Sequence, residues 1–142
     1  MALKVTKTDL WVARLQDRPG ALATCLGTLA AAGANLECVI GRRQPDKPGT
    51  GVVFVAPLGG RKVRVAARVA GFRTTAQVAA LRVEGDDRRG LGARIARSIG
   101  DAGVNLRGTS AIVIGRRFNC YLAFDSKADA GRAAAALRRS GI

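Results

Sequence analysis

The sequence predicts an α+β protein made of two βαββαβ units in tandem, each with an antiparallel sheet and both helices on one face. Three observations lead to this prediction. A motif recurs at a constant offset of 70 residues, from 17 to 87. Within each copy the apolar pattern changes from strand-like to helix-like and back. A strand-like segment at the N-terminus has no place in the first copy, whereas the second copy lacks one strand.

The repeat has two parts, which recur without a gap. Residues 17–23, DRPGALA, match residues 87–93, DRRGLGA, and residues 32–36, AGANL, match residues 102–106, AGVNL. Self-similarity at one fixed period indicates a duplicated structural unit. We therefore expect the same order of elements in both copies.

Each copy begins with a strand and a turn into a helix. Residues 9–15 and 79–84 form extended runs rich in residues that suit a pleated strand. Asp17 or Asp87 is expected to accept the free N–H groups at the helix start. Pro19 suits the first helical position because it lacks an N–H donor.

The first helix of each copy is predicted from its apolar spacing. Gly33 and Gly103 stand where these helices would stop in the left-handed conformation. The predicted apolar faces comprise Leu22, Leu26, Leu29 and Gly33 in the first copy and Leu91, Ile95, Ile99 and Ala102 in the second.

A hairpin and a second helix complete the pattern in each copy, with polar Gly-rich turns between the hairpin strands. Ser126 and Asp129 resemble a capping box at the start of the last helix. The predicted strands span residues 36–43, 52–56, 106–114 and 118–124, and the predicted helices span residues 61–71 and 128–139.

One strand is missing from the second copy, which has no counterpart of residues 74–78. Shifting that segment back by one period gives residues 4–8, a strand-like piece at the N-terminus. We therefore expect an interlocked pair, in which residues 73–78 close the first sheet and residues 2–8 close the second. The predicted domains are residues 9–78 for the first unit and residues 79–142 plus 2–8 for the second.

The composition excludes several classes of chemistry. The chain has no histidine, and Cys25, Cys38 and Cys120 form no C-x-x-C pair. The usual zinc sites and the Ser-His and Cys-His nucleophile pairs are therefore excluded. An odd number of cysteines in apolar surroundings indicates reduced core residues. The sequence thus predicts a protein that is not an enzyme and that uses no metal and no cofactor.

Charge and hydropathy indicate the expected location and partners. No apolar run reaches the roughly 18 residues that cross a bilayer, and Asp9 comes too early for a signal peptide. We expect a cytoplasmic protein with no membrane partner. The formal net charge is +14, which favours anionic partners through the long-range field. The basic residues are scattered along the chain, however, as on a solvated surface.

An RNA-binding module is the main alternative, because this ferredoxin-like topology also carries the RNA-recognition motif. Residues 116–124 match only part of the aromatic pattern that such a module needs on its third strand. Aromatic residues are only 4% of the chain, so stacking platforms are scarce. Nucleic acid is therefore not the expected partner. A purely structural dimerisation module is the other alternative.

The two parts of the repeat together carry a family resemblance. Residues 15–22, LQDRPGAL, followed by a helix and by AGANL before a hairpin, resemble the ACT domain of amino-acid-responsive regulatory proteins. The second copy is a looser match because Arg89 replaces the proline. The resemblance implies a ferredoxin-like fold, a homo-oligomer and a regulated enzyme as partner. It also implies that a free amino acid, or a similar small zwitterion, is held at an interface.

The resemblance also implies which residues contact the ligand: those of the turn after the first strand and one at the start of the second strand. Carried over position by position, they are Asp17, Arg18, Gly20, Ala21, Leu22 and Asn35 in the first copy and Asp87, Arg88, Gly90, Leu91, Gly92 and Asn105 in the second. Serine-sensing members carry asparagine at the position of Asp17 and histidine at the position of Leu15, so serine is not the expected ligand.

The chemistry of a helix start supports these turns as a ligand site, and it leaves other roles open for the same residues. A helix N-terminus offers unpaired N–H groups to a carboxylate, and a glycine lets it approach the backbone. The aspartates or asparagines could accept from the ammonium group, but the aspartates could equally cap the helices and the asparagines could satisfy turn backbone. The repeated V-I-G-R-R segments at 39–43 and 113–117 could clamp an anion or keep a sheet edge soluble.

Overall fold

The structure is a computed structural model that describes residues 3–74 and 79–142. The described residues form seven strands and four helices in two compact units, residues 9–74 (the first unit) and residues 3–8 with 79–142 (the second unit). The strands are β1 Lys4–Thr8, β2 Trp11–Gln16, β3 Cys38–Arg43, β4 Thr50–Ala56, β5 Ala79–Asp86, β6 Gly108–Ile114 and β7 Arg117–Phe124. The helices are α1 Ala21–Ala31, α2 Arg61–Val69, α3 Leu91–Asp101 and α4 Lys127–Arg139.

The first unit contains an antiparallel sheet with the strand order β2-β4-β3. At the outer edge of β2, Val12 and Arg73 form an antiparallel bridge with two backbone N–H···O bonds of 2.9 Å. Residue 73 therefore lies where the fourth strand of a βαββαβ unit belongs. The rest of the predicted closing segment, residues 75–78, lies outside the described residues.

The second unit contains a four-stranded sheet with the order β1-β5-β7-β6. Strand β1 pairs with β5 in antiparallel register from Lys4 opposite Glu84 to Thr8 opposite Ala80. Two further bonds fix it, because the Leu3 N–H donates to the Ile142 carbonyl and the Arg138 side chain donates to the Val5 carbonyl. The prediction that the N-terminal strand completes the second unit is confirmed.

Each unit has its own apolar core between its sheet and its helices. The second unit buries the predicted face of α3, Leu91, Ile95 and Ile99. In the first unit, by contrast, α1 buries Cys25 and Leu29, and Leu22 is 41% exposed. The predicted face of α1 was therefore right at Leu29 and Leu26, which belong to or pack against the core, and wrong at Leu22. The buried face is rotated towards Cys25, which the spacing of the leucines did not indicate.

Three of the predicted helix ends are confirmed. Ser126 caps α4, since its Oγ accepts a 3.0 Å hydrogen bond from the Asp129 N–H. Gly33 and Gly103 take the left-handed conformation with φ of 95° and 74°. The described helices are too short or too polar to span a bilayer.

Packing of Leu3 on β5 gives a first prediction. A Cβ built at Gly85 would lie 2.8 Å from Leu3 Cδ2. We expect Gly85→Val to lower the free energy of unfolding by about 1–3 kcal/mol, because the larger side chain displaces Leu3 from the core. Gly108→Val is the matched control, since a Cβ there meets only Ala123 Cβ at 3.9 Å. If urea unfolding shows that the two variants lose equal amounts of unfolding free energy, this packing is contradicted.

Candidate functional site

The turns after β2 and β5 share one backbone conformation. In the first unit the Ala21 N–H donates to the Arg18 carbonyl over 3.3 Å, and Gly20 has φ 83° and ψ −9°. These values define a type II turn, which has proline at its second position and needs φ above zero at its third. Pro19 thus belongs to the turn, and the prediction that it begins the helix was wrong.

The second unit repeats this turn without the proline. The Leu91 N–H donates to the Arg88 carbonyl over 3.1 Å, and Gly90 has φ 78° and ψ 9°. Glycine reaches these angles at no steric cost, whereas other residues are strained there. The conformation therefore depends on glycine, and Arg89 occupies the position where the first copy has proline.

Neither predicted aspartate cap forms. Gly20 and Gly90 are the N-cap residues of α1 and α3, and no described side chain caps either helix. The reason is that the type II turn places three residues between each aspartate and its helix. The first N–H of each helix donates to the turn carbonyl of Arg18 or Arg88. The N–H groups of the next two residues, which have no acceptor within the helix, are not taken by a capping side chain.

Most of the predicted turn residues lie together at the surface. In the first unit Asp17, Arg18 and Gly20 are exposed and Ala21 is half-buried. The corresponding exposed residues of the second unit are Asp87, Arg88, Gly90 and Gly92. Leu91 differs, because its side chain is 1% exposed and belongs to the core. Its N–H also donates to the Arg88 carbonyl, so Leu91 supports the turn from the core.

In each unit an arginine of the neighbouring hairpin forms an ion pair with a carboxylate in the turn or in the strand that leads into it. In the first unit Arg43 Nε lies 2.9 Å from Asp17 Oδ2, and the Asp17 N–H donates to the Gly49 carbonyl. The hairpin therefore holds both the backbone and the carboxylate of Asp17. This ion pair is largely exposed, so it contributes little to stability.

The second unit forms the same contact with a different carboxylate. Arg117 Nη1 lies 3.0 Å from Asp86 Oδ1, and Arg117 Nη2 lies 3.9 Å from Glu84 Oε1. The Asp87 N–H donates to the Arg116 carbonyl over 2.8 Å, but the Asp87 carboxylate forms no ion pair with any described residue. The turn of the second unit thus presents an unpaired carboxylate.

Sequence reasoning missed these ion pairs, although it noted the repeated V-I-G-R-R segments. In the first copy the segment lies wholly within β3, whereas in the second it runs from the end of β6 through a two-residue turn into β7. The segment therefore marks an arginine beside the turn in both units. The spacing of the repeat could not show which carboxylate each arginine would contact.

The two asparagines lie far from these turns within their own units. Asn35 and Asn105 are exposed loop residues before β3 and β6, so the prediction that they begin a strand was wrong. In the first unit β3 ends level with the turn, because Arg43 pairs with Gly51 and Gln16 with Thr50. Strand β3 begins at the opposite end of the sheet, roughly 16 Å away at about 3.3 Å per residue.

Thiol and metal chemistry find little support in the described part of the chain. Cys25, Cys38 and Cys120 are free and buried, as predicted. Burial raises the pKa of each thiol, and for Cys120 a contact with Thr109 opposes that shift. A thiol with a raised pKa is a poor nucleophile at neutral pH. The described residues include no group of three His, Cys, Asp or Glu that could hold a metal ion.

The RNA-binding alternative is not favoured. Phe118 and Phe124, which gave β7 its partial match to the RNA-recognition pattern, are buried in the core of the second unit. The central strand β5 instead carries a salt bridge of 3.0 Å between Arg82 and Glu84. A carboxylate there repels the phosphates that such a sheet must accommodate.

Known structures share the fold. No family model and no curated protein matches the chain. A protein from Bacteroides thetaiotaomicron matches with a TM-score of 0.77 and 14% identity, over 95% of this chain and 89% of its own. The ligand-free regulatory subunit of aspartate kinase from Thermus thermophilus matches with a TM-score of 0.67 and 13% identity, over 99% and 97%.

A third structure places the same fold within a longer enzyme chain. Aspartokinase III of E. coli, in complex with aspartate and ADP, matches with a TM-score of 0.61 and 14% identity, over 97% of this chain and 32% of its own. At these identities the likeness shows the fold. The predicted tandem of ACT-like, ferredoxin-like units is confirmed.

Proposed function

We propose that this chain is a non-enzymatic, cytoplasmic regulatory protein that binds a free amino acid, or a similar small zwitterion, at the turns after β2 and β5. The observation that carries the proposal is the pair of exposed type II turns, each of which opens a helix without a capping side chain. The regulatory subunits among the structural neighbours support the regulatory role. The partner would be an enzyme whose activity follows ligand occupancy.

The turns offer complementary groups to a zwitterion. The N–H groups of the second and third residues of α1 and α3, with the positive end of each helix dipole, suit a carboxylate, whereas the first N–H of each helix is donated within the turn. Gly20 and Gly90 have no side chain to block the approach of the carboxylate. The space beside each is also open, because a Cβ built there would meet nothing within 4 Å. The Asp87 carboxylate is available to an ammonium group, whereas Asp17 is held by Arg43. The second unit therefore supplies the stronger site.

The edge of the second sheet supports an interface between two copies. All seven residues of β6 are exposed, and one side of this edge strand is unpaired within its sheet. Ile112 and Ile114 are 59% and 67% exposed. A long apolar edge strand favours pairing with another strand. Of the arginines that flank β6, Arg107 and Arg117 have carboxylate partners in their own unit.

Antiparallel pairing of β6 with β6 of a second copy would also complete the ligand site. Such pairing sets the start of one strand beside the end of the other. Asn105, which precedes β6, would then lie at the same end of the joined sheet as Asp87 and Gly90 of the second copy. This arrangement unites two groups of predicted site residues that one unit keeps apart.

The test is a thermal-shift screen against the common amino acids, followed by titration calorimetry. A ligand at a hundred times its dissociation constant should stabilise the protein by about 2.7 kcal/mol. We expect Asp87→Asn to weaken binding of the best amino acid by about tenfold or more, because a charge-assisted hydrogen bond is lost.

Asp46→Asn is the control for this substitution, since it removes an equal charge from an exposed loop residue. It should leave the affinity unchanged. If no amino acid stabilises the protein, the proposal fails and a structural dimerisation module becomes the better account. If Asp87→Asn and Asp46→Asn change the affinity for the amino acid equally, the ligand does not use the turn of the second unit.

A further inference from the structure

The second unit contains an open cleft between α3 and α4 that shares no lining residue with the turns described above, although Arg94 lies one helical turn after Gly90. Its volume is about 480 Å³, within the range of small-molecule sites. Arg94 and Arg97 enter it from α3, and Arg139 enters it from α4. Ala102, Ala136 and Ile142 supply an apolar part of the lining.

The charges around this cleft are not balanced by the protein. Among the arginines of this unit, Arg82, Arg107, Arg117 and Arg132 form ion pairs with described residues. The three arginines of the cleft form none with any described residue, and the same is true of Arg88, Arg89, Arg116 and Arg138. Asp101 is the one carboxylate side chain in the lining. Like charges three residues apart on a helix, such as Arg94 and Arg97, destabilise it slightly. The cluster therefore carries a small cost that a bound anion would offset.

The first unit shows that the fold does not require these arginines. The bounds of α1 and α3 differ by one repeat period, and so do the C-cap residues Ala70 and Ser140 that end α2 and α4. The positions of Arg94, Arg97 and Arg139 are occupied there by Thr24, Gly27 and Val69. Two units of one topology thus differ by three positive charges at this place.

The helix dipole accounts for only part of the cluster. Arg139 lies in the last turn of α4, where a cation is favourable, but α3 has no basic residue in its last turn. Arg94 and Arg97 lie farther from the helix end. Their presence in the cleft has no such local explanation.

We propose that this cleft binds the phosphate group of a small phosphate monoester. Guanidinium groups present planar, forked donors that match phosphate oxygens, and arginines from two helices line this cleft. The apolar residues of the lining would contact the organic part of the ligand. Asp101 opposes a dianion and so limits the affinity. The site shares no residue with the turns, so an amino acid and a phosphate ester could be bound together.

The test is titration calorimetry with ribose 5-phosphate, and with ribose as the uncharged counterpart, at low ionic strength. We expect saturable binding of ribose 5-phosphate and none of ribose. The double variant R97Q/R139Q should weaken binding by about tenfold or more, because two charge-assisted contacts are lost. The double variant R61Q/K62Q is the control, since it removes two exposed charges of α2 and lowers the net charge equally.

Asp101→Asn gives a result of opposite sign. It should tighten binding of ribose 5-phosphate, whereas damage to the fold would weaken it. The proposal is overturned if the wild-type protein shows no saturable binding, or if R97Q/R139Q and R61Q/K62Q weaken binding equally. These outcomes leave amino-acid binding at the turns unaffected, so the two proposals fail independently.

Discussion

A variant that lacks residues 1–8 is expected to lose the cooperative unfolding of the second unit. Strand β1 pairs with β5 over five residues, and Leu3 and Val5 pack against the core of that unit. Its removal would expose the edge of β5 and leave a sheet of three strands. A unit of this size has little stability in reserve, so the loss of Leu3 and Val5 from its core should be enough to unfold it.

Hydrogen exchange measured by mass spectrometry can follow the two units separately. We expect peptides from residues 79–142 to lose most of their protection on deletion of β1, and peptides from residues 11–56 to keep more of theirs. Val5→Asp should also reduce the protection of residues 79–142. Thr6→Asp should leave that protection unchanged, because Thr6 is exposed on the same strand and lies opposite Arg82. Unchanged protection of residues 79–142 would refute the interlocked arrangement.

The place of the N-terminal strand in the second unit was predictable because it follows from counting the elements of each copy. A repeat with a constant offset shows which element each copy lacks, and the closing strand of the second unit could therefore be assigned to residues 4–8. The buried face of α3 was likewise predictable, since Leu91, Ile95 and Ile99 have one helical spacing and no competitor. Local patterns that have one interpretation translate directly into structure.

The starts of α1 and α3 were not predictable in this way. Asp17 and Pro19 suit a helix cap and a first helical position, but they also suit a type II turn, and the second of these conformations was formed. The choice depends on Gly20 being left-handed, which the sequence permits without requiring. The same ambiguity affected α1, where alanines, leucines and a cysteine surround the helix and several faces are apolar.

The candidate sites depend on contacts that cross between elements. Arg139 is separated from Arg97 by two strands and most of a helix, so a scattered charge pattern in the sequence becomes a cluster only when α3 and α4 pack together. Similarly, Arg43 reaches Asp17 only because β3 ends level with β2. Composition indicated a solvated basic surface and could not reveal either grouping.

The edge strand β6 gives the other prediction with a large expected effect. We expect the double variant I112K/I114K to convert a dimer of the wild-type chain into a monomer. Full burial of an isoleucine contributes about 1.5–3 kcal/mol, and a symmetric pair of strands would bury two from each copy. The dissociation constant should therefore rise by roughly 100-fold or more.

Sedimentation and light scattering report the mass directly, and V65K/V69K is the matched control. Val65 and Val69 are also exposed apolar residues, on α2 of the first unit, so the control makes the same chemical change away from β6. It should leave the mass unchanged. Because Asn105 would join Asp87 only across paired β6 strands, I112K/I114K should also weaken amino-acid binding. If the wild-type protein is monomeric and still binds its amino acid, the turn binds the ligand without strand pairing. The whole site would then lie within one copy.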